Sequence, residues 1–202
     1  MSYRAIVFDL GKVLVHFDFQ PGYRALESRC PYPAAEIPRR LAATGLVERF
    51  ETGLIEPREF VHRISDALGL GVTYEEFCSI WSCIFQHALV PESMLEGLAK
   101  RYRLLLLSNT NAIHFESIRR KYPLLRRFHG LVLSYEVRAM KPQREIYQAV
   151  LDMAGCPPGE CFYTDDIAEY VAAARRLGMD AVQFHSAAQL QREMAARGIE
   201  WE

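Results

Sequence analysis

Five short apolar runs recur along the chain, and this pattern constrains the fold more than any other feature of the sequence. They cover residues 5–8, 104–107, 131–133, 161–163 and 181–184. Three of the runs lead into polar residues, as the first does at Asp9. Runs this short with polar C-terminal ends are typical of strands buried on both faces of a parallel sheet. The sequence therefore predicts five parallel strands.

Helical patterns lie between these runs. Their apolar stripes comprise Met94, Leu95, Leu98 and Tyr102, then Ile146, Tyr147, Val150 and Leu151, then Val171, Ala174 and Leu177. Gly155 and Gly178 follow the last two stripes, and a glycine just past the last periodic residue is a helix stop signal. Strands that alternate with helices indicate an α/β fold with a doubly wound, Rossmann-like parallel sheet.

The segment 17–91 breaks this alternation, because it shows helical patterns and no convincing strand. One amphipathic stripe comprises Phe60, Val61, Ile64 and Leu68, and another comprises Phe77, Trp81, Ile84 and Phe85. Thr73 and Glu76 have the spacing of a capping box in front of the second stripe. We therefore expect a helical cap at 17–91, inserted after the first strand, and a core domain made of residues 1–16 and 92–202.

The charge balance and the cysteine content argue against several classes of partner. Lys and Arg total 24 and Asp and Glu total 25, so a net charge of -1 gives no reason to propose nucleic acid or an anionic membrane. Five cysteines without a C-x-x-C pair indicate reduced thiols rather than disulfides or a zinc site. We see no signal peptide and no apolar run that could span a bilayer. We expect a cytoplasmic protein with a small-molecule substrate; the sequence does not indicate its oligomeric state.

Polar side chains that follow three of the strands should meet at one rim of the sheet. They are Asp9, Ser108 with Asn109, and Asp165 with Asp166, while Lys141 follows the 131–133 strand. Ligands of an open parallel sheet bind beyond the C-terminal ends of its strands. Three carboxylates this close repel one another unless a cation is present, and Mg²⁺ suits them because it prefers oxygen ligands and bridges to phosphate. Ser108 would hold phosphate oxygens by a hydrogen bond and Lys141 by charge.

Four motifs in this order resemble those of the haloacid dehalogenase superfamily. They are FDLGKVL at 8–14, LSNTN at 107–111, KP at 141–142 and YTDD at 163–166. The helical insertion after the first motif resembles the cap of that superfamily, so the resemblance covers essentially the whole chain. It is closest to the small capped phosphatases, including those that resemble α-glucose-1-phosphate phosphatase.

The resemblance implies a role for each matching position. Asp9 would attack phosphorus and form an aspartyl-phosphate. The Mg²⁺ ligands would be Asp9, the backbone carbonyl of Gly11, Asp165 and Asp166, with Asp165 either a ligand or a support for one. Ser108, Asn109 and Lys141 would bind the phosphoryl group and neutralise its charge, which makes Ser108 and Lys141 catalytic together with Asp9. The expected reaction is hydrolysis of a small phosphomonoester, such as a sugar phosphate.

The sequence departs from the superfamily pattern near two of these residues. Many of its phosphatases have a second Asp two residues after the nucleophile, as general acid and base, where this chain has Gly11. The proton must then come from elsewhere, and His16 is one candidate. Tyr170 stands where Asn or Asp is usual, and Lys12 where Gly or Asn is commoner. Good leaving groups should be favoured if no other residue supplies the proton.

Other interpretations of the same residues stay open. An Asp nucleophile also serves 2-haloacid dehalogenases, which need no metal, although the paired Asp165 and Asp166 argue against this function. Gly11 and Tyr170 favour a phospholigand-binding protein with degraded catalysis. Taken singly, each motif also fits a structural role: a loop cap at Asp9, a turn at 108–109, a solvated lysine at 141 or an acidic pair at a helix N-terminus at 165–166.

Overall fold

The computed structural model describes residues 2–201 and contains seven strands. They are β1 (Ala5–Phe8), β2 (Val15–Phe17), β3 (Phe85–Ala88), β4 (Arg103–Ser108), β5 (Gly130–Leu133), β6 (Cys161–Asp165) and β7 (Asp180–Gln183). Five of them form one parallel sheet in the order β5-β4-β1-β6-β7, while β2 and β3 form a separate antiparallel ribbon. The five parallel strands expected from the apolar runs are the five strands of the main sheet.

Eleven α-helices surround and extend the sheet in the part of the chain that is described. They are α1 (Gln20–Glu27), α2 (Ile37–Thr44), α3 (Leu46–Glu51), α4 (Pro57–Leu68), α5 (Tyr74–Ser82), α6 (Glu92–Arg101), α7 (Ala112–Lys121), α8 (Ser134–Val137), α9 (Arg144–Ala154), α10 (Ala168–Arg176) and α11 (Ala187–Ala196). Short 3-10 helices occupy Pro123–Arg127 and Pro158–Glu160. Over residues 2–201, none of the helices has the length and apolar character needed to cross a membrane.

The sheet separates two apolar cores, because alternate residues of each strand face opposite sides. In β1, Ile6 and Phe8 face the core that contains α6, α7 and α11, while Ala5 and Val7 face the core that contains α9 and α10. All four side chains are fully buried. Helices on both faces of a parallel sheet confirm the doubly wound α/β fold.

The central position of β1 determines where the predicted site residues lie. Phe8, its last residue, pairs with Leu106 of β4 on one side and with Thr164 of β6 on the other. Since these strands are parallel, Asp9 leaves the sheet at the same edge at which β4 and β6 end. The sheet topology therefore brings together segments that lie about 100 and 156 residues from Asp9 in the sequence.

The helices α1 to α5 pack around a third core of their own. The predicted stripe of α4, namely Phe60, Val61, Ile64 and Leu68, is buried there. The rings of Phe50 and Phe60 stack at 4.2 Å between centroids. The capping box at α5 is present: the Glu76 amide donates to Thr73 Oγ1 at 3.2 Å, and the Thr73 amide donates to Glu76 Oε2 at 2.8 Å.

The expectation that segment 17–91 contains helices without strands is wrong at β3. Ile84 and Phe85 continue the helical spacing of Phe77 and Trp81, but α5 ends at Ser82 and Phe85 instead pairs with Phe17 of β2. The sequence signal was misleading because only the first residue of this strand is buried, so β3 lacks an alternating apolar pattern. Strand β2 of the ribbon crosses the predicted domain boundary between residues 16 and 17. The division into core and cap stays a prediction.

Candidate active site

Three carboxylates meet at the C-terminal edge of the sheet. Asp9 follows β1, Asp165 is the last residue of β6, and Asp166 comes next. One oxygen from each can be chosen so that all three lie within 4.8 Å of one another. Asp9 and Asp165 are buried and Asp166 is half-buried. The structure therefore brings together the three acids that the sequence predicted at one rim.

The ammonium group of Lys141 lies between two of these acids. Its Nζ is 2.5 Å from Asp9 Oδ1 and 2.7 Å from Asp165 Oδ2, and it also donates to the Leu107 carbonyl at 3.2 Å. The lysine side chain is only 2% exposed. Lys141 is therefore a buried cation, and the alternative interpretation of a solvated lysine at this position is wrong. Lys141 thus joins the ends of β1, β4 and β6.

The side chain of Asn109 holds the backbone of Lys141. Asn109 Oδ1 accepts from the Lys141 amide at 2.8 Å, and Asn109 Nδ2 donates to the Lys141 carbonyl at 3.0 Å. Ser108 is buried at the end of β4, and its hydroxyl donates a long hydrogen bond of 3.4 Å to the Asn109 carbonyl. Both residues lie at the site, and Asn109 in addition fixes the loop that carries the lysine.

Tyr163 is a site residue that the sequence analysis missed. Its hydroxyl donates to Asp165 Oδ2, and the amide of Ile167 donates to Asp165 Oδ1 at 2.9 Å. Tyr163 is fully buried and lies two residues before Asp165 on the same strand, so both side chains leave the same face of β6. This period of two was the available signal.

Tyr170, which stands where the superfamily usually has Asn or Asp, also reaches the site. Its hydroxyl lies 3.5 Å from Asn109 Nδ2, and the Lys141 Nζ is 5.1 Å from its ring centroid. The hydroxyl of Tyr147 donates to the Tyr170 carbonyl at 2.9 Å, which anchors the start of α10. The tyrosine therefore contacts both Asn109 and Lys141.

Burial controls the protonation of these groups. It raises the pKa of Asp9 to about 7; the Lys141 ammonium opposes this rise and the Asp165 carboxylate adds to it. Burial and Asp165 also raise the pKa of Asp166, which Lys12 lowers in part. Burial would lower the pKa of Lys141, but Asp9 and Asp165 outweigh it and the pKa is raised.

The donor set of the cluster fits a hard divalent cation. Three carboxyl groups face one ammonium group, so two negative charges stay uncompensated when all of them are ionised. Mg²⁺ is bound in proteins through oxygen ligands, commonly one or two carboxylates with phosphate oxygens and water. Asp9, Asp165 and Asp166 could supply such oxygens, and Gly11 lies two residues beyond Asp9 in the adjoining loop.

The loop after Asp9 has no room for a side chain at Gly11. A Cβ atom at this position would lie 2.7 Å from Cε1 of Phe17, closer than real Cβ atoms approach other atoms. Lys12 has a positive φ of 58°, is exposed, and its ammonium lies 5.3 Å from the centroid of the Phe17 ring. The ring of Phe17 therefore occupies the space next to Gly11 in which an acidic side chain would begin.

His16, the proton donor suggested by the sequence, lies away from this space. It is the middle residue of β2, and its ring stacks on His87 at 5.1 Å while Nδ1 lies 3.1 Å from Gln86 Oε1. The neighbours Val15 and Phe17 line a cavity above the site, and alternation in the strand directs His16 to the opposite face.

That cavity has a volume of about 80 Å³ and lies between the helical insertion and the sheet edge. Its lining comprises Leu10, Gly11, Val15, Phe17, Phe19, Glu51, Ile84, Phe85, Ser108, Asn109, Thr110, His114 and Ile118. Ser108 and Asn109 belong to the predicted phosphate site, so the cavity adjoins it. Glu51 comes from the insertion and was not singled out from the sequence.

The fold and the carboxylate cluster define a doubly wound α/β protein with a site at the C-terminal edge of its sheet. Proteins of this class bind ligands at that edge. Residues 3–178 match the sequence pattern of the haloacid dehalogenase-like hydrolase family. This match covers most of the chain. The protein therefore belongs to the haloacid dehalogenase-like hydrolase family and is an enzyme, as the four motifs indicated.

Several relatives resemble this chain over nearly its whole length. D-ribitol-5-phosphate phosphatase of Bacteroides thetaiotaomicron is 29% identical over 199 residues, which cover 94% of this chain and 95% of the relative. A haloacid dehalogenase family enzyme of the same organism, solved with magnesium and inorganic phosphate, has a TM-score of 0.80 at 28% identity and covers 92% of this chain and 96% of its own. A family hydrolase of Porphyromonas gingivalis has a TM-score of 0.86 at 26% identity, covering 99% and 100%.

Proposed function

We propose that this enzyme is a Mg²⁺-dependent phosphatase that hydrolyses a small phosphomonoester through an aspartyl-phosphate on Asp9. The observation that carries the proposal is the cluster at the sheet edge. Asp9 is buried there 2.5 Å from the Lys141 ammonium, and oxygens of Asp165 and Asp166 lie within 4.8 Å of its own. Phosphoryl transfer needs such a site, in which a nucleophile is fixed and negative charge is neutralised.

The metal ligands in this proposal are Asp9, Asp165, Asp166 and the backbone carbonyl of Gly11. When bound, Mg²⁺ supplies positive charge that offsets the carboxylates and the phosphoryl oxygens. The proposal draws support from the excess of carboxylates over ammonium groups in the cluster. It also draws support from the related enzyme that was solved with magnesium and phosphate.

The residues of the chain divide the work of the reaction. Asp9 attacks phosphorus in line with the departing oxygen, which requires the ionised carboxylate. Lys141 and Ser108 hold the phosphoryl oxygens, one through its charge and the other through its hydroxyl. Asn109 keeps Lys141 in place through its two hydrogen bonds to the lysine backbone.

The substrate in this proposal is recognised by the segment 17–91, which acts as a cap over residues 1–16 and 92–202. The cavity at the sheet edge supports this role, because Phe19 and Glu51 of the segment line it together with Ser108 and Asn109. A sugar or polyol phosphate fits the proposal, since one relative is a D-ribitol-5-phosphate phosphatase. Closure of a cap excludes water during the reaction.

A second candidate function is phosphate binding without turnover, which the missing side chain at Gly11 favours. Dehalogenation is less favoured, because it needs no metal and leaves the Asp165–Asp166 pair without a role. Turnover of p-nitrophenyl phosphate with Mg²⁺ separates these alternatives, since only a phosphatase releases p-nitrophenolate. A panel of sugar and polyol phosphates, assayed under the same conditions, then identifies the substrate class.

We expect activity that requires Mg²⁺ and that is abolished in Asp9→Asn, which keeps the shape but removes the nucleophile. Release of p-nitrophenolate should fall to background in excess EDTA and recover when Mg²⁺ is restored. Asp152→Asn is the matched control, because Asp152 is exposed on α9 and accepts a hydrogen bond from Gln148. Full activity of Asp9→Asn, or full activity in EDTA, would exclude this mechanism.

A further inference from the structure

Glu51 lines the cavity next to Gly11, the position at which the reaction lacks a proton donor. Gly11 has no side chain, and Phe17 fills the space next to it. Glu51 is the last residue of α3 and lines the cavity that Gly11, Ser108 and Asn109 also line. It is the one acidic residue in that lining, so the insertion contributes an acidic side chain to the cavity.

Nothing in the described part of the chain engages this carboxyl group. Among residues 2–201, the Glu51 side chain has no ion pair and no hydrogen bond, and it is half-buried. Glu48 on the same helix and Glu59 on α4 are exposed by contrast. Since no protein group holds the Glu51 carboxyl group, it is available to hydrogen-bond a ligand in the cavity.

The end of α3 is held against the sheet edge, so the position of Glu51 is fixed relative to the site. Gly53 has a φ of +66° and packs so closely on the Tyr135 carbonyl that no Cβ atom would fit. Next to Tyr135, the Ser134 hydroxyl donates to the Thr110 carbonyl at 2.9 Å and accepts from the Thr110 amide at 3.0 Å. Thr110 directly follows Ser108 and Asn109 and also lines the cavity.

We propose that Glu51 is the general acid and base of the phosphatase reaction, and that it thereby allows alkyl phosphomonoesters to serve as substrates. This inference rests on the proposed function. It deepens that function in two respects, because it names the proton donor and the class of leaving group. A general acid matters most when the departing oxygen is an alkoxide, as in esters of sugar and polyol hydroxyls.

The proton balance of both steps closes on Glu51. In the first step, a bond forms between Asp9 Oδ and phosphorus while the bond from phosphorus to the ester oxygen breaks. The electron pair goes to that oxygen, which takes the proton of the Glu51 carboxyl. In the second step, water attacks phosphorus, its proton goes to the Glu51 carboxylate, and the bond to Asp9 breaks. Asp9 returns as a carboxylate and Glu51 as the acid.

The electrostatic surroundings of Glu51 agree with such a role. Burial, with a smaller effect of Glu48, raises its pKa to about 7. A carboxyl group with this pKa holds a proton in a large share of molecules near neutral pH and can also release it, which is the range that suits a general acid. Proton transfer of this kind contributes roughly 10²–10⁴-fold to the rate.

The test is kcat/KM over phosphomonoesters of graded leaving-group basicity, from p-nitrophenyl phosphate to glycerol phosphate, in wild type and Glu51→Gln. We expect a shallow dependence in wild type. In Glu51→Gln we expect a loss of about 10²-fold or more for glycerol phosphate and of less than about tenfold for p-nitrophenyl phosphate. Glu56→Gln removes the same charge from an exposed site of the insertion and should behave as wild type.

A second variant separates loss of the acid from loss of structure. In Glu51→Ala, added formate should restore part of the glycerol phosphate activity, since a small carboxylic acid can occupy the vacated space. Equal losses for both substrates in Glu51→Gln, without rescue of Glu51→Ala, would overturn the assignment. Absence of p-nitrophenyl phosphate turnover in wild type would instead refute the phosphatase proposal, and this inference with it.

Discussion

The contact between Gly11 and Phe17 shows how one missing side chain shapes the site. A Cβ atom on Gly11 would lie 2.7 Å from Phe17 Cε1 and 3.4 Å from Cδ1. The φ of Gly11 is outside the left-handed region, so the aromatic ring rather than the backbone conformation excludes other residues. Introducing Asp at position 11 therefore requires the ring to move, and the sequence alone could not distinguish this obstacle from backbone strain.

We expect Gly11→Ala to destabilise the protein by about 1 kcal/mol, because the new methyl group overpacks against the ring. The cost should be smaller in the Phe17→Leu background, where Cε1 is absent. A double-mutant cycle of unfolding free energies in urea measures this coupling. Gly71→Ala is the control, since a Cβ atom there meets no atom within 4 Å. Additive effects of the two changes would show that the contact has no energetic weight.

Lys141 contributes both to the proposed reaction and to the stability of the folded protein. Its ammonium is the shared partner of Asp9 and Asp165, and both carboxyl groups are buried. Lys141→Met should abolish phosphatase activity and destabilise the metal-free protein by about 3–5 kcal/mol, because breaking a buried ion pair leaves uncompensated charge. Mg²⁺ should restore part of the lost stability by occupying the acidic cluster.

Thermal unfolding of Lys141→Met with and without Mg²⁺ is the measurement. Lys100→Met is the matched control, because Lys100 is exposed at the end of α6 and should cost within about 0.5 kcal/mol. An unchanged melting temperature of metal-free Lys141→Met would mean that Asp9 and Asp165 tolerate burial without this lysine.

At the scale of secondary structure, the sequence patterns identified the helices and strands that have one or two buried faces. The five sheet strands and the stripe of α4 were recognised because their apolar residues recur at regular intervals. The ribbon strand β3 was not, because Gln86 and His87 are exposed and only Phe85 is buried. Its pairing with β2 is a contact between residues about 70 positions apart, which no local pattern encodes.

The junction of α5 and α7 depends on a neutral histidine. His114 Nε2 lies 2.9 Å from the Trp81 carbonyl, which can only accept, so Nε2 carries the proton. Nδ1 then accepts from Asn111 Nδ2 at 3.1 Å, and a second proton would face that donor. Burial lowers the pKa of His114 to about 4, although the Trp81 carbonyl opposes the shift.

We expect His114 to make stability fall as the pH drops from about 6.5 to about 4. The unfolded chain takes up the proton near pH 6.5 whereas the folded protein resists it, so the contribution is complete above pH 6.5. The loss amounts to about 3 kcal/mol over this range. Urea unfolding at several pH values in wild type and His114→Gln measures it as a difference.

Wild type must be compared with His114→Gln because Asp9 and Glu51 change the stability with pH in the opposite direction. Their raised pKa values mean that the folded protein binds protons more readily than the unfolded chain, so they favour folding as the pH falls. The control is His62→Gln, since His62 is exposed on α4. Parallel pH profiles of wild type and His114→Gln would contradict a buried neutral histidine at this junction.

At the scale of the whole molecule, the sequence predicted which residues meet at the edge of the sheet. It did not predict that Glu51 of the insertion lines the cavity beside them. Topology alone requires Asp9, Ser108 and Asp165 to meet, because parallel strands end at a common edge. Glu51 reaches the same region only through the packing of α3 on α8, which depends on the shape of two elements far apart in sequence. No pattern around residue 51 distinguishes it from the exposed glutamates nearby.

The contact of Gly53 with Tyr135 fixes the insertion on the sheet, and its removal tests how far activity depends on that docking. Gly53→Ala should lower kcat/KM for alkyl phosphates, because the new Cβ atom clashes with the Tyr135 carbonyl and must push the end of α3, with Glu51, away from the site. Gly45→Ala is a close control: Gly45 has a similar φ of +64° but open space around it, so both variants carry a backbone cost of about 1–2 kcal/mol and only one carries the clash. Steady-state kinetics and thermal unfolding of both variants separate the two effects. Equal kcat/KM values for Gly53→Ala and Gly45→Ala would mean that the site does not depend on where α3 is held.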